Sequence, residues 1–100
     1  MPPVGRAGVD MSSGHDLCAP MIIMGGVSTV LVNNSPCMTI GDTHLPHACP
    51  SHKLPHSGTV SQGSGTVMAG NKAVARVTDT ITCQAPECVT SGSGNVIAGG

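Results

Sequence analysis

Apolar positions in this chain come in runs of two or three residues, not in a stripe of helical spacing. "STVLV" at 28–32 and "GTVMA" at 65–69 are short β-favouring runs. Each is followed by a dipeptide tolerant of positive φ, Asn33-Asn34 or Gly70-Asn71, and then by a return run, "MTI" or "VARV". Two apolar runs around such a turn predict a β-hairpin. No window repeats apolar residues at i, i+3, i+4 and i+7 over ten or more positions, so no long amphipathic helix is expected.

The two hairpin segments are copies of one unit. "GVSTVLVNNSPCMTIGD" (26–42) aligns without a gap on "GSGTVMAGNKAVARVTD" (63–79), sharing Gly, Thr, Val, Asn and Asp. "GSGNVIAGG" (92–100) begins a third copy, and the segment 4–10, ending in "RAGVD", resembles the tail of one. The pattern predicts a single all-β domain over 1–100, built of three hairpin repeats and cut circularly. A regular solenoid is the commoner outcome of repeats. Here the spacing between repeat-ending Asp residues is unequal, 32 residues from Asp10 to Asp42 and 37 from Asp42 to Asp79, which favours three like units around a pseudo-threefold axis.

Composition makes the core a problem. One hundred residues hold no Phe, Tyr or Trp, with Gly 14 and Pro 8. Core filling falls to Val, Ile, Leu and Met, with Met21, Met24, Met38 and Met68 as fillers and the strands 30–32, 67–69 and 96–98 as candidates for the core. A domain of this size hides only about two thirds of its unfolded surface, so a metal, disulfides or association is expected to help. The formal net charge of -1 with no basic patch and no stacking aromatics argues against nucleic acid. "APMIIM" at 19–24 is too short to span a membrane, and "MPPVGRAGVDM" lacks a signal-peptide core, so a protein outside the general secretory route is expected.

Five cysteines, at 18, 37, 49, 83 and 88, are an odd number, which points to thiols and metal before a disulfide scaffold. The histidines are concentrated as well. Four of five lie in "GDTHLPHACPSHKLPH" (41–56). Counting from each repeat-ending Asp, His15 follows Asp10 by five, His47 follows Asp42 by five, and Cys83 follows Asp79 by four. On a pseudo-threefold axis these three donors converge. The excess of the middle loop supplies a fourth, His56, with Cys49 as the alternative, either as ligand or as a hydrogen-bonding neighbour. Nitrogen donors at about 2.0–2.1 Å and sulfur at about 2.3 Å would close a tetrahedral Zn²⁺ site. His44 and His52 lie off the equivalent position and read as solvated loop residues. Cys37 reads as a small buried hydrophobe, and nothing in the spacing decides whether Cys18 and Cys88 pair.

Carboxylates are scarce, namely Asp10, Asp16, Asp42, Asp79 and Glu87. Three of them end repeats, where a turn or capping role suffices. With no HExxH, phosphate-binding Gly loop or GxSxG, no general base stands out, and a structural metal is favoured over a small zinc hydrolase or a metal-storage or regulatory module.

"VNNSPCMTIGD", "AGNKAVARVTD", "GSGTV" and "SGSGNVIAGG" resemble the repeats of PAAR proteins, named for a Pro-Ala-Ala-Arg segment whose place "AVAR" (73–76) takes here. "GHD" at 14–16, "PHACPSHKLPH" at 46–56 and "TDTITC" at 78–83 are similar to the phage-like branch, whereas "SPCM" at 35–38 departs from the named tetrapeptide. The resemblance implies a conical domain that caps a trimeric β-helical spike protein (VgrG or a phage central spike) of a type VI secretion system or contractile tail. It implies one copy per trimer, effector proteins as further partners, and transient contact with a target membrane. Zn²⁺ near the apex would be held by His15, His47, His56 and Cys83. Such a protein would act from the bacterial cytoplasm into a target cell or periplasm, or at a virion tail tip.

Overall fold

The computed structural model describes residues 2–14, 20–49, 52–83 and 87–99, and of residues 47–49 and 52–56 the backbone alone. Eleven short strands and no helix lie among the described residues: β1 (Ile23–Met24), β2 (Val27–Val32), β3 (Ser35–Cys37), β4 (Thr43–His44), β5 (His47–Cys49), β6 (His52–His56), β7 (Thr59–Val60), β8 (Met68–Ala69), β9 (Lys72–Ala73), β10 (Thr80–Thr82) and β11 (Glu87–Cys88).

Both tight hairpins form where the turn dipeptides place them. Asn33 and Asn34 sit at φ 51° and 68°, and Gly70 and Asn71 at 55° and 64°, so each turn has two left-handed central residues and carries the strand twist without splaying. The register is matched, with Leu31 opposite Pro36 and Met68 opposite Ala73. The third copy is completed by the two ends of the chain. Pro3 bridges Ile97, Val4 N–H donates to Val96 O at 2.9 Å, and Ala98 N–H donates to Pro2 O at 3.1 Å.

The return runs are shorter than the sequence suggests. β3 and β9 end at Cys37 and Ala73, and "MTI" and "VARV" instead meet other repeats through single bridges, Thr39 with Val74 and Val4 with Arg76. β2 is bulged, its register jumping between Val27 and Leu31, so Ser28, Thr29 and Val30 face outward. In the other two copies a serine hydroxyl shapes the same entry. Ser64 Oγ accepts from Thr66 and Val67 N–H, and Ser93 Oγ accepts from Asn95 and Val96 N–H.

The pseudo-threefold relation is visible in a closed cycle of backbone bonds. Gly5 N–H donates to Ala75 O, Ala75 N–H to Met38 O, and Met38 N–H to Gly5 O, at 2.9, 2.9 and 3.1 Å. Side-chain volumes around this ring compensate: a Cβ on Gly5 would lie 2.8 Å from Met38 Sδ, so the one long side chain fills the space that glycine leaves. Val4, Val32, Cys37, Ala69, Val74 and Ala98 form one buried cluster, and Ile23, Met38, Val60, Ala75, Ile81 and Val89, two of them ring residues, form a second. Each buried Val, Ile or Met stabilises by about 1.5–3 kcal/mol.

Each repeat-ending Asp opens a further arm. The arms pair into a five-stranded antiparallel sheet, β1-β4-β7-β10-β11, and bridges Met11–Ile22 and Ser12–Val89 join its two ends. This closure leaves the second cluster enclosed and these strand edges covered. The molecule is elongated, 37 × 23 × 22 Å.

Candidate metal centre

The Asp residues that end the repeats are buried turn acceptors. Asp42 accepts Thr39 N–H at 2.9 Å and Gly26 N–H at 3.0 Å, while Asp79 accepts Arg76 N–H at 2.8 Å and its guanidinium at 3.0 and 3.1 Å. Asp10 is held in the same way by Arg6, with Ser91 Oγ added at 2.8 Å. Arg6 and Arg76 are thus equivalent, one residue away from the alignment of "RAGVD" on "ARVTD", because the first copy carries an extra residue before its Asp. With these carboxylates committed to the backbone and to guanidinium, they are turn elements and leave the arms in a fixed register.

Of the sequence-predicted donors, Cys83 is fully described and His47 and His56 by their backbone alone. Cys83 follows β10 directly and is half-buried. His47 and His56 are register partners at the open end of the β5–β6 hairpin, with Cys49 and His52 the next pair along it, while all four side chains lie outside the described part of the structure. His15, Cys18 and Asp16 also lie outside the described residues.

His44 is a correction. The spacing reads it as a solvated loop residue, but it is only 2% exposed. It sits in β4 two residues after buried Asp42, and strand alternation turns both toward the interior. Gly58 N–H donates to His44 Nε2 at 2.8 Å, which makes Nε2 the acceptor and leaves Nδ1 to carry the proton, donated to Leu45 O at 2.7 Å. Glu87, likewise buried, brings Oε2 within 3.2 Å of the same Nε2, and its Oε1 accepts Gly14 N–H at 3.2 Å. His44, Cys83 and Glu87 each offer a ligand-type atom within 4.8 Å of the others, a spacing that could hold a metal ion.

The backbone at Gly58 makes this cluster possible. A Cβ there would lie 2.8 Å from Ile81 Cγ2, 2.9 Å from Cys83 Cβ and 2.9 Å from His44 Nε2. Sequence reasoning missed both His44 and Glu87. The signal was period two: Asp42 and His44 share a face, as do Glu87 and buried Val89.

Other cysteine and methionine readings divide. Cys37 is buried, and burial pushes its thiol pKa up, with the Asp42 charge adding to the effect, so it stays a protonated core group as expected. Met38 is core, but Met24 and Met68 are exposed and do not fill it.

Known families agree with this architecture. The PAAR motif family matches over residues 14–86 and again over 50–100, and no curated protein gives a significant match. The overlap of the two matches is what a tandem repeat produces, since one motif can be laid on successive copies. Together they cover both tight hairpins, the buried His44–Glu87 pair and Cys83, and the chain belongs to the PAAR-motif family.

Proposed function

We propose that this chain is the structural tip of a trimeric β-helical spike, docked through its hairpin end and cross-linked by zinc at its arm tips. Family membership supports a spike-tip role of the type VI or phage-like kind in general, and a structural one. The observation that carries the docking reading is the exposure of Leu31, Met68 and Ile97, at 60, 60 and 54%. They occupy the same position in the three hairpins, each one residue before a buried member of the first cluster, Val32, Ala69 or Ala98. Exposed aliphatic groups repeated in threefold register suit a partner with three identical ends. One copy would then cover three strand edges that the spike would otherwise present to solvent.

His15, His47, His56 and Cys83 would hold the zinc. Three nitrogen donors and one thiolate suit its tetrahedral preference, and the described parts agree: Cys83 ends one arm, His47 faces His56 across a hairpin of the second, and Gly14, beside His15, is drawn toward Glu87. Bound there, the ion would tie arms whose tips have few apolar residues left to pack. On this reading the protein assembles on its spike in the bacterial cytoplasm, or at a virion tail tip, and travels with it through a target membrane, with or without an effector.

Mixing the purified chain with a trimeric spike protein from the same host and measuring mass by light scattering tests the docking. One chain per trimer is expected. Three chains per trimer, or no complex, sinks it. Elemental analysis should find one zinc per chain, lost in Cys83→Ser, and a metal-free protein or stoichiometric iron removes the zinc half.

A further inference from the structure

A zinc ion with two positive charges, bound by three neutral imidazoles and one thiolate, keeps one positive charge uncompensated. Withdrawing that charge from water is costly unless an opposite charge stands close. We propose that Glu87 is the positioning carboxylate of the metal centre: outside the ligand set, it balances the charge and draws two ligand-bearing segments together. The proposal rests on the ligand set given above.

Three observations place Glu87 in this role. Its side chain has 0% exposure, and it lies within the 4.8 Å group that includes Cys83 Sγ. Its Oε1 accepts the N–H of Gly14, the residue before His15 and 73 positions away in sequence. Its Oε2 stands 3.2 Å from His44 Nε2, an atom already accepting the Gly58 N–H. His44 is not part of the proposed ligand set, and its ring nitrogens are engaged within the fold, Nδ1 with Leu45 O and Nε2 with Gly58 N–H. Glu87 therefore bears on the ion through charge and through Gly14, as carboxylates beside metal ligands commonly do.

The test compares zinc affinity of the full chain, Glu87→Gln and Glu87→Asp by competition with a chromophoric chelator, with zinc-edge X-ray absorption on the unaltered protein. Gln keeps the shape and removes the charge; Asp keeps the charge and shortens the reach. Glu87→Gln should still bind one zinc, about 10- to 100-fold more weakly, with Glu87→Asp closer to the unaltered chain. A residue that only supported the fold would show the reverse order, Gln above Asp. That order, or Gln at full affinity, overturns the proposal. The absorption spectrum should show nitrogen and one sulfur, and a carboxylate oxygen in the shell overturns the proposal even if no variant folds. A shell without sulfur would overturn the ligand set itself, and this proposal with it.

Discussion

Thr78 holds φ at 76°, where the equivalent positions in the other two copies are Gly8 at 80° and Gly41 at 91°. A β-branched residue pays about 1–2 kcal/mol for that conformation, partly offset by the backbone entropy that glycine loses on folding. Thr78→Gly should therefore stabilise the domain by about 0.5–1 kcal/mol, seen as a rise of a few degrees in melting temperature; a fall would show that the side chain contributes more than its backbone costs. Asp10 gives a second prediction. Burial works to raise its pKa, but hydrogen bonds from the Arg6 side chain, Ser91 and Arg6 N–H, with the Arg6 charge, outweigh it and hold the carboxyl below its ordinary value. The unfolded chain takes up that proton at higher pH than the folded one. The contribution is therefore complete above about pH 4 and is lost as pH falls below it toward the depressed native value. Denaturant midpoints measured from pH 7 to pH 2 should show this loss, and Arg6→Gln should flatten it.

Elements in this fold are too short to be stable singly, and their placement depends on close backbone approach. Gly58 is an example, with three side chains within 2.9 Å of a Cβ built there, lying where β7 enters between β4 and β10. Gly58→Ala would push a methyl into Ile81, Cys83 and His44, at an expected cost of about 1–3 kcal/mol and with zinc affinity reduced. Gly94→Ala is the control, since nothing lies within 4 Å of a Cβ there. Chemical denaturation and metal titration of both variants decide it: equal behaviour would mean that the cradle beside Cys83 is not tight. Val67 and Met68 do not alternate as neighbours in a strand ordinarily do. β8 spans only Met68–Ala69, and the Ser64 hydroxyl bends the chain ahead of it, so Val67 and Met68 are both exposed and only Ala69 turns inward.

For the whole molecule, the proposed function assigns a separate task to each of the two clusters. Residues beside the first cluster expose the threefold aliphatic set, and His44, Cys83 and Glu87 lie beside the second. Placing charge on the first should leave the second alone. Met68→Asp with Ile97→Asp should abolish spike binding while leaving the fold and the zinc content unchanged, and Val9→Asp, which puts the same charge on an exposed residue outside that set, should bind normally. Binding should also vary little between low and high salt, since the proposed contact would be apolar and backbone-paired. Strong salt dependence, or binding unaffected by the double variant, would exclude this docking face.

The sequence by itself determined the two tight hairpins and the turn role of Asp42 and Asp79, because these are local. Two left-handed residues make the turn, and a carboxylate bonds an N–H three positions back. Cys37 in the core was legible too, from its place within a hairpin. Tertiary structure alone decided what depends on distant partners. His44 is buried because Gly58 and Glu87, 14 and 43 positions away, meet its ring, and the sequence shows the histidine but not the cavity built around it. The exposure of Leu31, Met68 and Ile97 beside buried Val32, Ala69 and Ala98 is likewise fixed by a bulge, by serine-capped turns and by the pairing of the chain's two ends. Composition and spacing name the residues of such contacts, and only closure of the ring brings them within reach of one another.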